Sequence, residues 1–416
     1  MSSEIELLRS LDDEPPIPST VDVGGAVESG RRRNRRRGLG YAGVAVLTTA
    51  ALTGVAVSGV SSPKTPAKLA AKPSVSPSFR PTFTIPGTPG WTAPAAPAPT
   101  SCTVAKLPMP AGVPMAIAGA ADPSGQYVVG RTYPKGGGYV AALWHGDKIT
   151  KVDLPGDLEE NLSDVNSAGT AVGWSFNAKG EVPFVYVAGK ARKLAGPANG
   201  SAQAINNAGA IVGSDSVGGP RAASNALLWP SATAKPIKLP VPAGVRDATA
   251  SDIDEDGTTV GHLDLKTPYV WFPDGTHRKL PLPTYQGKTA VAARAFSIRN
   301  GIAIGVADEI DGAKGPGKGQ MWAVKWNVRT GEATVLDGFD MRPDAINAQG
   351  WMVGIDKSGY AILSAGGAPI RLPMIADHKP GDLTNIPNAI SDDGRTIVGQ
   401  SDNANGVIQA VKWTCH

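Results

Sequence analysis

Short apolar runs recur along the chain, each separated from the next by a polar turn rich in glycine, asparagine and aspartate. One stretch reads INNAGAIVG at residues 205–213, and near copies read VNSAGTAVG at 165–173 and IDEDGTTVG at 253–261. Such runs are too short for helices, and the turn residues around them are typical of β-strands. The pattern therefore predicts pairs of short strands joined by tight turns.

The glycine that closes each copy gives the period of the repeat. These glycines stand 40 to 49 residues apart, at Gly130, Gly173, Gly213, Gly261, Gly305, Gly354 and Gly399. A third strand is predicted to end on a large apolar residue, at Trp144, Tyr186, Trp229, Trp271, Trp326, Leu363 and Trp413. A fourth is predicted to end on leucine, at Leu154, Leu194, Leu239, Leu280, Leu336 and Leu372. Four strands in this period predict an all-β fold, a seven-bladed β-propeller.

The last repeat lacks a fourth strand of its own, because the chain stops at residues 410–416, AVKWTCH. Residues 106–108 read KLP and match the same letters at 238–240, where a fourth strand is predicted to end. The N-terminal segment of the domain is therefore expected to supply the outer strand of the last blade. Without this strand the ring would expose unpaired sheet edges.

The two cysteines test this closure. Superposing the last repeat on the first through its tryptophan and leucine places Cys415 on Gly146 and Cys102 on Ile149. These positions lie three residues apart across one tight turn, so the sequence predicts a disulfide between Cys102 and Cys415. Such a bond persists in an oxidising compartment outside the cell.

The repeat resembles a known family. The segments AQAINNAGAIVGSDS, PDAINAQGWMVGIDK and NAISDDGRTIVGQSD are similar to the HAF-type extracellular repeat proteins, and the resemblance covers residues 102–416. The His-Ala-Phe triplet of that family is absent, with AAL, ALL and AVK near its place. The resemblance implies an extracellular β-propeller and says little about activity.

The first hundred residues differ in composition from the rest. Residues 1–37 are predicted to be a short cytoplasmic tail that ends in RRRNRRR, and residues 38–60 carry no charge and are long enough for a transmembrane helix. Residues 61–100 form a Pro/Ala/Ser-rich linker before the propeller at 101–416. Because the arginines hold their side in the cytoplasm, we predict a single-pass membrane protein with the propeller outside the cell. This front end resembles actinobacterial single-pass proteins with an exported domain.

Two alternatives remain open at this end. The apolar segment 38–60 also fits a cleaved signal peptide, with a small-residue site at residues 56–58. The long charged leader and the length of the span favour a retained signal-anchor. Residues 1–30 fit either an unstructured leader or a small amphipathic helix with Ile5, Leu8 and Leu11 on one face.

Composition narrows the function classes. The chain has 51 glycines and 36 prolines among 416 residues, and 18% of its residues are charged, which favours strands and turns over long helices. The net charge of +4 is concentrated in the arginine block at 31–37. The charge therefore predicts no nucleic-acid partner.

Candidate chemistry is sparse. Residues 252–257, DIDEDG, begin like a calcium loop, but Leu263 occupies the twelfth position and Val260 the ninth. Residues 312–318, GAKGPGK, have phosphate-loop spacing without the following Ser or Thr. None of the histidines has metal-ligand spacing to another, at His145, His262, His277, His378 and His416. No metal, cofactor or catalytic residue is predicted.

Variation in loop length indicates where binding is expected. It falls between second and third strands and between consecutive blades, and both connections emerge on the same face of a propeller. Variable loops on a rigid scaffold commonly carry binding residues. The ligand-binding candidates, at or just after the predicted second-strand ends, are Arg131, Trp174, His262, Asp308, Asp356 and Gln400.

Three functions fit these observations. The first is a non-enzymatic binding or scaffold module for an envelope or cell-wall glycan or protein. The second is an extracellular carbohydrate-active hydrolase or lyase, for which Asp308 and Asp311 offer a carboxylate pair. The third is a transmembrane sensor in which residues 1–30 contact a cytoplasmic regulator such as a sigma factor.

Overall fold

The structure is a computed structural model that describes residues 93, 95–156, 159–178, 180–215, 223–309, 321–340, 342–379 and 384–416. These residues form seven four-stranded antiparallel sheets and one two-stranded hairpin. The predicted tail at 1–37 and membrane segment at 38–60 lie outside them. Within the described ranges, no helix combines the length and the apolar character needed to cross a bilayer.

The chain builds its first three blades in sequence order. Strand β1 (Cys102–Lys106) comes first and belongs to the last blade. Blade 1 contains β2 (Met115–Ala121), β3 (Tyr127–Tyr133), β4 (Val140–His145) and β5 (Lys148–Val152). Blade 2 contains β6 (Glu160–Val165), β7 (Ala171–Asn177), β8 (Gly180–Val187) and β9 (Lys190–Lys193). Blade 3 contains β10 (Gly200–Ile205), β11 (Ile211–Asp215), β12 (Ala226–Trp229) and β13 (Ile237–Lys238).

The remaining blades repeat this order with one insertion. Blade 4 contains β14 (Ala248–Ile253), β15 (Thr259–Leu263), β16 (Thr267–Trp271) and β17 (His277–Lys279). The hairpin β18 (Thr284–Tyr285) and β19 (Lys288–Thr289) is inserted before blade 5, which contains β20 (Ala292–Arg299), β21 (Ile302–Asp308), β22 (Met321–Asn327) and β23 (Glu332–Val335). Blade 6 contains β24 (Pro343–Ile346), β25 (Met352–Ile355), β26 (Ala361–Ser364) and β27 (Ile370–Arg371). Blade 7 contains β28 (Asn385–Ile390), β29 (Thr396–Asp402), β30 (Ile408–Cys415) and β1.

The first strand of each blade lines the central axis. These seven strands contact one another in a closed circle, β2 to β6, β10, β14, β20, β24, β28 and back to β2. The ring has two faces. We call the end with the turns between first and second strands the turn face, and the end with the connections between second and third strands and between blades the loop face. The predicted seven-bladed β-propeller is confirmed.

The repeat glycines lie inside the second strands. Every first strand has a bulge, and the glycine pairs with the residue just before it, as Gly261 does with Ala250 and Gly305 with Ala295. A Cβ atom on Gly261 would lie 1.8 Å from the Thr249 carbonyl oxygen. The prediction that second strands end at these glycines is wrong, because the strands continue for one to four more residues.

The tryptophan and Leu-Pro positions join neighbouring blades. Trp144 donates its Nε1 proton to the Pro108 carbonyl oxygen at 2.8 Å, and Pro108 follows the outer strand of the preceding blade. The same bond links four more pairs, Trp229 to Ala195, Trp271 to Pro240, Trp326 to Pro281 and Trp413 to Pro373. These indole rings are almost fully buried between the sheets. Each bond gives a buried indole N–H its acceptor.

The ring closes as predicted, with a corrected register. Strand β1 pairs with β30, and Cys102 lies directly opposite Cys415, with the two Cα atoms 4.0 Å apart in a disulfide. The two cysteines are thus direct cross-strand partners and not three residues apart. In blade 1 the outer strand ends at Val152, which takes the place of Leu107, so the predicted end at Leu154 lies two residues too late.

A belt of hydrogen bonds encircles the turn face. Asn166 donates its side-chain N–H to the Asn206 carbonyl, and Asn206 donates in the same way to Asp254, both at 3.1 Å. The Gly301 N–H then donates to the Asp254 carboxylate at 2.7 Å. The circle is completed by Asn300 to Ala348, Asn347 to Ser391, Asp392 to Pro123 and Ser167 to Asp122. The repeated turn residues therefore hold each blade to the next.

Candidate functional site

The six predicted binding residues lie on six different blades. Five belong to second strands, and Asp356 directly follows one. The contacts among the described residues bring two of them together, because Arg294 bonds to Asp308 and interacts electrostatically with His262. The predicted residues therefore form no single cluster.

His262 is buried beside the first strand of the next blade. Its ring meets Phe296 edge to face at a centroid distance of 6.3 Å, and its Nδ1 atom has no hydrogen-bond partner in the described part of the chain. Burial, together with the nearby positive charge of Arg294, lowers the pKa of His262 to about 4. The imidazole is therefore neutral at pH 7.

Asp308 is engaged in an ion pair. Its Oδ2 atom lies 3.0 Å from Nη2 of Arg294, and both side chains are largely buried. Desolvation raises the pKa of Asp308, and the charge of Arg294 opposes this rise. The partner proposed for it in a glycosidase pair, Asp311, lies outside the described residues. The pairing indicates that Asp308, at the end of β21, holds the Arg294 side chain in place.

Arg131 and Asp356 make local contacts. Arg131 donates from Nε to the Tyr133 hydroxyl at 2.7 Å, and its guanidinium lies 5.1 Å from the ring centre of Tyr139. The Asp356 carboxylate accepts the backbone N–H groups of Ser358 and Tyr360, both at 2.9 Å. Asp356 therefore caps a tight turn. Trp174 and Gln400 lie half-buried in the middle of their strands.

The calcium-like stretch holds two blades together. Asp252 accepts the Ile298 N–H and the Ser297 hydroxyl, each at 2.8 Å, and burial raises the pKa of Asp252 to about 6. These bonds run from blade 4 to blade 5, as the bond from Gly301 to Asp254 also does. In the ranges that the structure describes, no three or more His, Cys, Asp or Glu side chains are arranged to hold a metal ion.

A cavity of about 670 Å³ opens on the loop face between blades 5 and 6. Its walls come from the hairpin β18–β19, the start of β22 and the end of β23. Blade 6 adds the connection that precedes β24 and the connection that follows β25. The lining includes Tyr285, Met321, Trp322, Asp337, Phe339 and Lys357. This volume lies in the range of small-molecule sites.

Sequence reasoning missed this cavity. The usable signal was the connection at residues 281–291, which contains TYQGKT, two short strand candidates around a turn. The structure shows this stretch as the hairpin that places Tyr285 against Trp322, with ring centroids 5.6 Å apart. Tyr285 donates its hydroxyl proton to the Asp337 carboxylate, and this bond raises the pKa of Tyr285.

Comparisons with known proteins place the chain in no family. No protein-family model matches the chain, and no curated protein matches it. Oligogalacturonate lyase from Vibrio parahaemolyticus is 11% identical over 77% of this chain and 98% of that chain, with a TM-score of 0.49. The β-propeller domain of the Trilobed protease from Pyrococcus furiosus is 11% identical, with coverages of 72% and 95% and a TM-score of 0.48. TolB from Acinetobacter baumannii is 14% identical, with coverages of 70% and 67% and a TM-score of 0.42.

Proposed function

We propose that the chain is a non-enzymatic binding or scaffold module, anchored in the membrane by residues 38–60, whose propeller recognises an envelope glycan or protein outside the cell. Support for the anchor comes from the uncharged segment that follows six arginines. Support for the outside location comes from the Cys102–Cys415 disulfide, since such bonds persist in oxidising compartments.

One observation on the loop face carries the binding role. Five large apolar side chains in the described part of the chain are clearly exposed, at Ile237, Leu265, Leu282, Val291 and Met321. All except Ile237 lie at the loop-face ends of blades 4 and 5, and Met321 also lines the cavity. Exposed apolar side chains concentrated in one place mark an interaction surface. The turn face, in contrast, is occupied by the belt of hydrogen bonds between blades.

The test is affinity capture from solubilised envelope with the full-length protein, analysed by mass spectrometry and glycan composition. A double variant, Leu265→Lys with Val291→Lys, is compared with the control Ile237→Lys, which changes a still more exposed apolar side chain on the outer strand of blade 3. We expect the loop-face variant to lose its partner and the control to keep it.

The same experiment also tests whether the N-terminal tail is needed for binding. Deletion of residues 2–30 should leave capture by the propeller unchanged. Partners that disappear only with this deletion would assign the working contact to a cytoplasmic regulator and contradict the proposal. Equal capture by the loop-face variant and the control would do the same.

A further inference from the structure

We propose that the cavity between blades 5 and 6 is a binding site for a neutral saccharide, with Tyr285 and Trp322 as its aromatic wall and Asp337 with Lys357 as its polar wall. This inference rests on the proposed binding function of the loop face and names the ligand class. It assigns recognition to residues other than the six that the sequence predicted.

The aromatic wall offers a surface for the C–H face of a sugar ring. Tyr285 stands on the hairpin at the cavity rim, its ring tilted by 58° against Trp322, and Phe339 adds a buried ring beside them. Aromatic rings that also carry a polar group suit ligands with one apolar and one polar side. A pyranose has this character, because its ring hydrogens and its hydroxyls point in different directions.

Trp322 differs from the tryptophans that join the blades. Five tryptophans donate their indole N–H to a carbonyl of the preceding blade, whereas that of Trp322 has no acceptor among the residues that the structure describes. Trp322 is 6% exposed and lines the cavity. A buried donor without an acceptor requires an explanation, and a bound hydroxyl would supply the acceptor.

The polar wall favours a neutral ligand. The Asp337 carboxylate accepts the Tyr285 hydroxyl and lies 3.5 Å from the Lys357 ammonium, and the side chains of Asp337 and Lys357 are 64% and 60% exposed. A sugar hydroxyl donates to Asp337 and accepts from Lys357 at the same time, so it leaves neither charge without a partner. A cationic side chain would compete with Lys357 for Asp337, and an anionic ligand would meet the carboxylates of Asp337 and of Asp340, which also lines the cavity. The pairing of Asp337 with Lys357 therefore favours hydroxyls, and the second carboxylate disfavours anions.

The experiment uses the full-length protein in detergent on an array of neutral di- to hexasaccharides built from glucose, mannose, galactose, arabinose and N-acetylglucosamine. The strongest saccharide is then titrated by calorimetry and tryptophan fluorescence. We expect Tyr285→Ala and Asp337→Asn each to weaken its binding at least tenfold. The matched control is Asp153→Asn, since Asp153 forms a similarly exposed pair with Lys151 at 2.7 Å, outside the cavity.

The outcomes separate this inference from the proposed function. If envelope capture succeeds but Tyr285→Ala and Asp337→Asn bind the saccharide as the wild type does, the cavity assignment is overturned and the binding role stands. If no saccharide on the array binds, the ligand class is overturned. Loss of binding in the Asp153→Asn control would show that the effect does not come from the cavity and would also overturn it. Circular dichroism of each variant confirms that it is folded.

Discussion

The turn face and the loop face of this propeller are built on different rules. On the turn face, each blade contributes a short turn with an Asn, Asp or Ser, and each such turn bonds to the next one around the ring. On the loop face, the connections differ in length between blades, and exposed apolar side chains gather at blades 4 and 5.

Arg299 adds a longer connection to the turn face. Its guanidinium contacts Glu255 of blade 4 at 2.8 Å and Asp392 of blade 7 at 2.5 Å, although it belongs to blade 5. The side chain therefore passes blade 6 at the turn-face end of the axis. Asp392 also accepts the Ala348 N–H of blade 6 at 3.0 Å, so four blades meet at this point. From the difference between the faces we expect stability to be concentrated at the turn face, which would leave the loop face free to vary.

The largest expected effect is at the ring closure. Replacing both cysteines, with Cys102→Ser and Cys415→Ser, removes a bond between residues 313 apart in sequence. The chain-entropy model gives a loss of unfolding free energy on the order of 5 kcal/mol for a loop of this length. Urea unfolding with and without reductant measures it. Reduced wild type should match the double variant, and unchanged stability of the variant would show that the strand pairing alone closes the ring.

A smaller loss is expected from Arg299→Met. The change leaves Glu255, whose side chain is only 5% exposed, without its cationic partner, and breaking a buried pair in this way costs about 3–5 kcal/mol. Lys288→Met is the loop-face control, because Lys288 is 65% exposed and pairs with Glu309 at the surface, where such pairs contribute about 0–1 kcal/mol. Thermal unfolding compares the two. Equal losses would contradict the concentration of stability at the turn face.

The scaffold glycines offer a third comparison. Gly261→Ala places a Cβ atom 1.8 Å from a backbone oxygen and is expected to destabilise the protein by about 3 kcal/mol through displacement of the bulge. Gly338→Ala, on the loop face, meets no heavy atom within 4 Å and is expected to change stability by less than about 0.5 kcal/mol. Denaturation midpoints of both variants give the ratio. A large loss for Gly338→Ala would show that the loop face is as tightly packed as the sheets.

The smallest effect concerns acid stability near the loop face. The pKa of His262 is about 4 in the folded protein and 6.5 in the unfolded chain, so the unfolded chain binds the proton more tightly. Stability is therefore lost as pH falls from 7 towards 4, by about 2 kcal/mol at pH 5. In His262→Gln this loss should vanish. Burial raises the pKa values of Asp252 and Asp344 to about 6. These two carboxyls therefore contribute stability at low pH that is lost as pH rises through 6, which is opposite to the effect of His262. Their contribution is the same in the wild type and in His262→Gln. Parallel pH profiles of unfolding would contradict the prediction.

Local patterns predicted most of the scaffold. The glycine period, the tryptophans and the Leu-Pro ends were visible in single repeats, because each repeat makes the same contacts with its neighbour. The errors were local as well. The extra residues in KVDLP at 151–155 shifted the alignment of blade 1 and, with it, the expected positions of the cysteines.

The site was less predictable, because its members come from different blades and do not repeat. Nothing in the sequence around residue 285 indicates that its tyrosine contacts Asp337, or that Trp322 lacks the acceptor that other tryptophans have. The candidates chosen by position, such as Arg131 and Asp356, satisfy the backbone or neighbouring rings. The repeat pattern identified the loop face as the place for binding. The side chains that differ between repeats determine what this face contacts.

By itself, the sequence determined the number of blades, the four strands in each, the closure by the N-terminal strand and the pairing of Cys102 with Cys415. These features follow from short-range periodicity and from the need to leave no sheet edge unpaired. Only the tertiary structure decided which residues meet around the ring: Arg299 with Glu255 and Asp392, and Tyr285 with Trp322 and Asp337. Such contacts depend on the curvature that seven packed sheets produce together, and no single repeat encodes that curvature.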